Sequence, residues 1–342
     1  MKSKGLIALL LATGIAVLAA ALLSLGGSTN SADPQIGRLV LPEVRQHAVE
    51  IARIGLVHGD AKTTLLKQNG GWVVAEKGNY PVDASKLIQA MQGLAELRYV
   101  EPKTRKPDLY ARLEVEAVGS KDAKSTLVSV SDEKGHPLGE IIAGKRRIDQ
   151  LGGGTDGIYV RKPDDAQAWL ARGTLDLATD ATGWLDRNIV DLPRDKVKEV
   201  VLTQPDGGTL DITHDKPEDA LALKSAPADA KLKSDTALVE PTTALASLTL
   251  SDVRPAAEMP FPADGVARAE ITSFDGLTIK VALVDKDGKS WAKLEASGTG
   301  EAEKQAMTLN AKLQNWVFAI PDYKAKSLRT KLADVTAPPQ PS

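Results

Sequence analysis

The chain lacks cysteine, has few aromatic residues and shows no excess of either charge. The absence of cysteine excludes disulfide bonds and thiol chemistry, so the chain can fold in an oxidising compartment without mispairing. The formal net charge is only −2, with acids and bases mixed along the sequence. A nucleic-acid surface needs clustered lysine and arginine, so no nucleic-acid partner is expected. The densest basic run, Lys145-Arg146-Arg147, is typical of a solvated turn.

One long apolar run is present, from Leu6 to Leu25, and Lys2 and Lys4 precede it. A helix of that length reaches about 30 Å, the thickness of a bilayer's hydrocarbon core. The lysines favour a cytoplasmic N-terminus, which predicts a single-pass anchor in the inner membrane through residues 6–25 and a periplasmic or otherwise extracytoplasmic chain. The alternative is a cleaved signal peptide, whose apolar region is usually shorter, at about 7 to 15 residues.

The remaining sequence is long enough for two domains and contains an internal repeat. We predict an anchor at residues 1–27, a spacer at 28–36, a first unit at 37–187, a second unit at 188–336 and a disordered tail at 337–342, with a loop inserted at 217–237. Similar phrases occur in the same order in both units, which indicates an ancient duplication. The matched segments are 51–60 with 197–206, 97–102 with 250–255, 128–135 with 281–288, and 158–164 with 316–322.

Local patterns predict one helix and several hairpins. Asp83 is an expected N-cap, and an apolar stripe at helical spacing follows it, consisting of Leu87, Ile88, Met91, Leu94 and Ala95. Apolar residues alternate from Leu277 to Leu283, as in a strand, and the segment 285–288 reads as a hairpin turn. The predicted class is therefore α+β, with an N-terminal transmembrane helix followed by two related units, each an antiparallel sheet packed with helix.

Four short phrases carry a family resemblance. They are Gly71-Trp72, Tyr80-Pro81-Val82-Asp83, Gly157-Ile-Tyr-Val-Arg161 and Trp184-Leu-Asp-Arg187. With these phrases in this order, and with the apolar N-terminus, the chain resembles a bacterial family described as domain of unknown function 4340 over roughly residues 50–330. Members of that family tend to be encoded beside membrane subunits of ABC-type export systems. The resemblance implies a transporter-associated envelope protein and supplies no catalytic residues.

No residue pattern indicates a catalytic, cofactor or metal site. The four histidines are not at metal-ligand spacing and read as solvated turn residues; they are His47, His58, His136 and His214. Four acids fall in expected hairpin turns, namely Asp132, Glu133, Asp285 and Asp287. The run Gly152–Gly154 lacks the Lys-Ser/Thr of a phosphate loop and reads as a flexible connection, and no Gly-x-Ser-x-Gly elbow is present.

Five tryptophans stand out among the scarce aromatics, and burial is their expected state; they are Trp72, Trp169, Trp184, Trp291 and Trp316. Exposed tryptophans would instead offer stacking platforms or interface anchors. Trp184, followed closely by Asp186 and Arg187, is a possible interface or hinge between the units. Arg187 is expected to pair with an acid across the boundary.

The leading hypothesis is a non-enzymatic accessory protein that docks onto the membrane subunits of an ABC-type transporter. The first alternative is a module that binds an envelope glycan or lipid in a tryptophan-lined cleft between the units. The second is an extracytoplasmic hydrolase, which requires buried acids or a serine and a histidine within hydrogen-bond reach.

Overall fold

The structure is a computed structural model that describes residues 33–148, 156–224, 226 and 230–337. The predicted anchor, most of the predicted spacer, the run Gly152–Gly154 and residues 338–342 of the predicted tail lie outside the described residues. Within the described ranges, no helix combines the length and the apolar character needed to cross a membrane.

Antiparallel sheet dominates the described residues, of which 39% are strand and 22% are helix. The prediction of an α+β class led by a transmembrane helix is therefore wrong for the described chain, which is β-rich. The reason is that only two helices within the described ranges reach 13 residues, whereas most connections there join strands directly to one another. Period-two alternation recurs along those strands, and most strands pair with the strand that follows them in the chain.

The first sheet has nine strands in the order β4-β3-β2-β1-β6-β7-β8-β9-β5. Its strands are β1 (Ile51–His58), β2 (Ala61–Gln68), β3 (Gly71–Val74), β4 (Tyr80–Pro81), β5 (Arg98–Thr104), β6 (Thr126–Asp132), β7 (Pro137–Arg147), β8 (Gly157–Arg161) and β9 (Ala168–Arg172). The helices of this unit are α1 (Pro42–Gln46), α2 (Ala84–Glu96) and α3 (Tyr110–Leu113). The run Lys145-Arg146-Arg147, predicted as a turn, instead ends β7.

The second unit has an eight-stranded sheet in the order β13-β12-β11-β16-β17-β18-β19-β15, and β10 pairs with β14 in a separate small sheet. The strands are β10 (Asn188–Val190), β11 (Val197–Thr203), β12 (Thr209–Thr213), β13 (Ala222–Leu223), β14 (Leu248–Thr249), β15 (Asp252–Pro255), β16 (Ala267–Ser273), β17 (Thr278–Lys286), β18 (Lys289–Ser297) and β19 (Trp316–Ile320). The helices are α4 (Val239–Thr242), α5 (Glu301–Leu313), α6 (Asp322–Ser327) and α7 (Leu332–Val335). The segment predicted as an inserted loop contains β13.

The second sheet repeats the strand order of eight strands of the first, from β3 and β13 to β5 and β15, and the first sheet has one further strand, β4, at its edge beside β3. The matches 51–60 with 197–206 and 97–102 with 250–255 fall on equivalent strands. The other two matches pair β6 with β17 and β8 with β19, so they are displaced by one strand. Alternation has the same period in every strand, so a shift by one strand leaves the apolar pattern unchanged.

Two positions of helix α2 are explained by their contacts, one local and one tertiary. The Asp83 carboxylate accepts hydrogen bonds from the Ser85 and Lys86 amides at 2.9 and 3.2 Å, as expected of an N-cap. Ile88, predicted in the buried stripe, is 54% exposed. A Cβ at Gly93 would lie 2.4 Å from the Thr174 carbonyl oxygen, so glycine is needed where the helix approaches the chain that follows β9.

The inner faces of both sheets contribute to one continuous apolar cluster. A smaller cluster lies on the outer face of each sheet, and in both units it is covered by the connection that follows the last strand of the order, β5 or β15. These clusters contain Tyr110, Val115, Ile142 and Ala168 in the first unit and Met259, Trp291, Val317 and Ala319 in the second. The chain passes from the first sheet to the second through residues 173–196.

Candidate functional site at the joint between the units

Two of the family phrases meet side by side where the units join. The phrase that begins at Tyr80 runs antiparallel to the phrase that begins at Trp184, with a β-bridge between Val82 and Leu185. The Asp83 amide donates a hydrogen bond to the Trp184 carbonyl at 2.8 Å. Asp83 therefore both caps helix α2 and connects that helix to the segment leading into the second unit.

Asp186 and Arg187 carry these contacts into the second unit. The Tyr80 hydroxyl donates to the Asp186 carbonyl at 3.1 Å, and Lys312 on α5 lies 3.1 Å from the Asp186 carboxylate. Arg187 Nε donates to the Leu250 carbonyl at 3.0 Å, and the Leu250 amide donates back to the Arg187 carbonyl at 2.9 Å. The cross-boundary ion pair expected of Arg187 is thus formed by its neighbour Asp186.

Aromatic rings fill the joint beside these hydrogen bonds. The Tyr80 ring stands edge-on to Trp316 at 5.0 Å and to Phe318 at 6.2 Å between centroids. Burial, with a further contribution from the Asp186 charge, raises the pKa of the Tyr80 phenol well above its usual range. Tyr80 therefore remains a hydrogen-bond donor at all physiological pH values. At this position the joint is packed, in contrast to the open tryptophan-lined cleft that glycan binding would require.

A charge bridge lies on the same side of the joint. Asp252 at the start of β15 accepts Lys77 of the first unit at 2.6 Å and Lys289 of the second unit at 2.8 Å. Burial raises the pKa of Asp252, but hydrogen bonds from Lys289, Lys77 and the Val253 amide outweigh it and hold the pKa below its usual value. Asp252 is therefore ionised at neutral pH and links one lysine from each unit.

The part of the chain that contains most of these contacts matches the profile of a protein family. The profile described as domain of unknown function (DUF4340) matches residues 72–264, which is more than half of the chain. The chain belongs to this family. The matched region begins in β3 and ends before β16, so it contains both phrases of the joint and stops short of β16–β19. No curated protein matches the chain, and no solved structure does.

The third family phrase in the DUF4340 region places Arg161 in a structural position on the outer face. Its buried guanidinium donates to four backbone carbonyls and lies 4.6 Å from the centre of the Tyr110 ring. The Tyr110 hydroxyl donates to the Ala166 carbonyl at 2.6 Å. Arg161 thereby fixes the β8–β9 turn against α3.

The histidines are dispersed over the two units. His47 pairs with Glu43 and Glu50, His136 pairs with Asp132, and His58 lies 3.1 Å from the Thr126 hydroxyl. His214, predicted in a solvated turn, is buried against Phe274. Across the described residues, no three or more histidine, aspartate or glutamate side chains are grouped so that they could hold a metal ion.

Three of the four acids named in the sequence analysis, Asp132, Asp285 and Asp287, form ion pairs, and the tryptophans are buried or half-buried. Asp287 lies in the β17–β18 turn, whereas Asp285 lies in β17, where it accepts hydrogen bonds from Ser290 at 2.7 Å and from Arg329 at 2.9 Å. Trp169, Trp184 and Trp291 are buried, as expected, and Trp72 and Trp316 are half-buried against the shared core.

Of the three residues predicted as a possible interface or hinge, Asp186 and Arg187 contact the second unit, whereas Trp184 contacts Asp83 and Ala178. Sequence reasoning missed the partners that complete the joint, above all Lys77 and Asp252, which are 175 residues apart. The Tyr80 phrase was a usable signal, because it is one of the four family phrases. Nothing near Asp252 in the sequence indicates that it faces the first unit.

Proposed function

We propose that the protein is a non-enzymatic accessory protein of an ABC-type transport system, held at the inner membrane by residues 6–25. It acts outside the cytoplasm by docking onto the membrane subunits of the transporter. Its two units serve as one docking body rather than as two independent domains.

The observation that carries this proposal is the joint. Its polar groups contact one another across the boundary, through the Asp186–Lys312 pair, the Lys77–Asp252–Lys289 bridge and the Arg187–Leu250 backbone contacts. Such contacts hold two sheets in one arrangement. A surface that is already in its binding arrangement loses less conformational entropy when a partner docks.

Family membership is the reason for proposing a transporter as the partner. Membership in DUF4340 is shown by the profile, and the link to ABC-type export systems is an implication of the resemblance. The apolar run from Leu6 to Leu25 supports a position at the membrane, where such a partner resides.

The test is recovery of the partner from its native membrane. The tagged full chain is cross-linked in cells, extracted in detergent and purified, and ABC-transporter membrane subunits are quantified by mass spectrometry. We expect these subunits to be enriched with the wild-type chain. We also expect several-fold lower enrichment with a joint variant, Asp186→Ala with Asp252→Asn, at equal protein amount.

Glu270→Gln is the matched control, because it removes a carboxylate from the exposed Glu270–Lys280 pair of the second sheet. Its enrichment should equal that of the wild type. Absence of any transporter subunit from the wild-type sample would refute the docking function. Equal enrichment with the joint variant would refute the role of the joint.

A further inference from the structure

Three arginines lie in one row across four strands of the first sheet. Arg98 on β5 is directly opposite Arg172 on β9. The β8–β9 register continues to place Gly157 beside Arg172, and Gly157 is in turn opposite Arg147 on β7. Neighbouring strands are about 4.8 Å apart, so Arg172 is about 5 Å from Arg98 and about 10 Å from Arg147, measured across the backbone.

The row is on the outer face of the sheet. Ala171, which precedes Arg172, belongs to the inner core, so Arg172 points to the opposite side of the sheet. Among the described residues, none of the three guanidinium groups forms an ion pair. Arg98 donates to the Gly37 carbonyl at 2.9 Å. Like charges directly opposite each other on adjacent strands destabilise a sheet, so this arrangement favours an external anion.

Two exposed isoleucines are sequence neighbours of residues in the row or in contact with it. Ile36, which is 42% exposed, precedes Gly37, the residue that contacts Arg98. Ile148, which is 66% exposed, follows Arg147. Basic side chains interspersed with exposed apolar ones are the composition of surfaces that lie in the headgroup region of a bilayer.

The row also lies beside the first described residues of the chain. The segment around Gly37 runs along β5, with Leu39 bridged to Arg98. Residues 26–36 separate Gly37 from the apolar run that ends at Leu25, and this segment spans at most about 40 Å when fully extended. The row is therefore within reach of the expected membrane surface.

The second sheet has no such row at the equivalent strands. There Asp252 is opposite Ala319 and Arg254 is opposite Val317. Because the two sheets share one topology, the row is a feature of the first unit alone. It occurs in the unit that follows the apolar N-terminal run.

We propose that Arg98, Arg147 and Arg172, with Ile36 and Ile148, form a membrane-contact surface for the headgroups of anionic phospholipids. This proposal rests on the proposed anchoring through residues 6–25. The surface would set the orientation of the docking body relative to the membrane. Each arginine is expected to change the anionic-lipid contact by about fivefold, the factor equivalent to the usual attraction of one basic residue near such a surface.

The absence of cysteine permits a clean test. Ile148→Cys in the full chain is labelled with an environment-sensitive fluorophore, and the chain is reconstituted in vesicles that contain a headgroup nitroxide lipid as quencher. We expect strong quenching with about 30% phosphatidylglycerol and weak quenching with phosphatidylcholine alone. Quenching should fall in about 1 M salt, where the screening length is about 3 Å.

Substitutions of the row identify its role. Arg98→Gln, Arg147→Gln and Arg172→Gln together should abolish the effect of the anionic lipid, whereas the corresponding triple lysine variant should retain it. The control label is Lys134→Cys, in the β6–β7 turn at the other end of β7, and its quenching should not depend on the lipid. Equal quenching at position 148 with both lipids, or in the triple glutamine variant, would overturn the proposal.

Flotation separates this outcome from a failure of anchoring. Wild-type and triple-glutamine chains should both float with the vesicles, because residues 6–25 are unchanged. A wild-type chain that does not float refutes the anchoring and this proposal with it. A chain that floats without lipid-dependent quenching refutes the arginine surface only.

Discussion

The two units share a sheet topology and differ in where they insert helix. The first unit places α2 between β4 and β5, and the second places α5 between β18 and β19. Both helices supply a contact to the joint, since α2 is capped by Asp83 and α5 contributes Lys312. A shared strand order therefore leaves the connections free to diverge, and those connections determine how one unit contacts the other.

The outer faces of the units show a second difference. In each, an arginine lies 4.6 Å from the centre of an aromatic ring, Arg161 at Tyr110 and Arg254 at Trp291. Arg161 is buried and donates to backbone carbonyls, whereas Arg254 is partly exposed and pairs with Asp287 at 3.1 Å. An arginine–aromatic pair is thus buried in the first unit and partly exposed in the second.

The largest expected effects follow from removing one buried tryptophan, either near the joint or in the outer cluster of the second unit. Trp184→Ala and Trp291→Ala each remove a fully buried indole and should each lower the free energy of unfolding by about 3–5 kcal/mol. Hydrogen exchange should distinguish them, because Trp184 belongs to the segment that leads from the first sheet to the second. We expect faster exchange in both sheets with Trp184→Ala and mainly in the second sheet with Trp291→Ala. Unchanged exchange in β16–β19 with Trp184→Ala would show that the units are stabilised independently.

The charge bridge should give the next largest effect. Asp252→Asn leaves Lys77 and Lys289 without a charged partner and should lower the free energy of unfolding by about 2–3 kcal/mol. Glu270→Gln, in an exposed pair of the same unit, should cost less than about 1 kcal/mol. Urea denaturation of the full chain measures both. Equal effects would mean that the bridge does not stabilise the joint.

Loss of the buried arginine of the first unit should lower the free energy of unfolding more than loss of the partly exposed arginine of the second unit. Arg161→Gln leaves backbone carbonyls without their donor and should cost about 2 kcal/mol. Arg254→Gln should cost less than about 1 kcal/mol, because water can replace it. Thermal unfolding of the two variants compares them. A larger loss with Arg254→Gln would reverse our assignment of the interior and surface roles.

The charge bridge should also give the joint a pH dependence, because acid removes the charge that Asp252→Asn removes by substitution. The pKa of Asp252 is lower in the folded state than its ordinary value of 3.8, so its ionised form favours folding. That contribution is complete above about pH 5 and is lost as the pH falls through the folded-state pKa. The melting temperature of the wild type should therefore approach that of Asp252→Asn between about pH 4 and pH 2. A constant difference over this range would contradict the lowered pKa.

Much of the local structure was predictable because its causes are local. The Asp83 cap acts on amides two and three residues away, and the β17–β18 turn follows from the residues around Gly288. The family could also be inferred, since its short phrases stand in order in the chain. The fold class could not, because a few clear helical patterns gave no measure of how much of the remaining chain pairs as strands.

Residues within a few positions of one another specify the alternation of the strands, the cap of α2 and the hairpin turns, because those hydrogen bonds close over short distances. The partners of Asp252, the packing of Trp316 on Tyr80 and the alignment of Arg98 with Arg172 required the folded chain. Each joins residues that are far apart in sequence. Such contacts depend on sheet order and register, which arise only when the strands pair and the two units pack together.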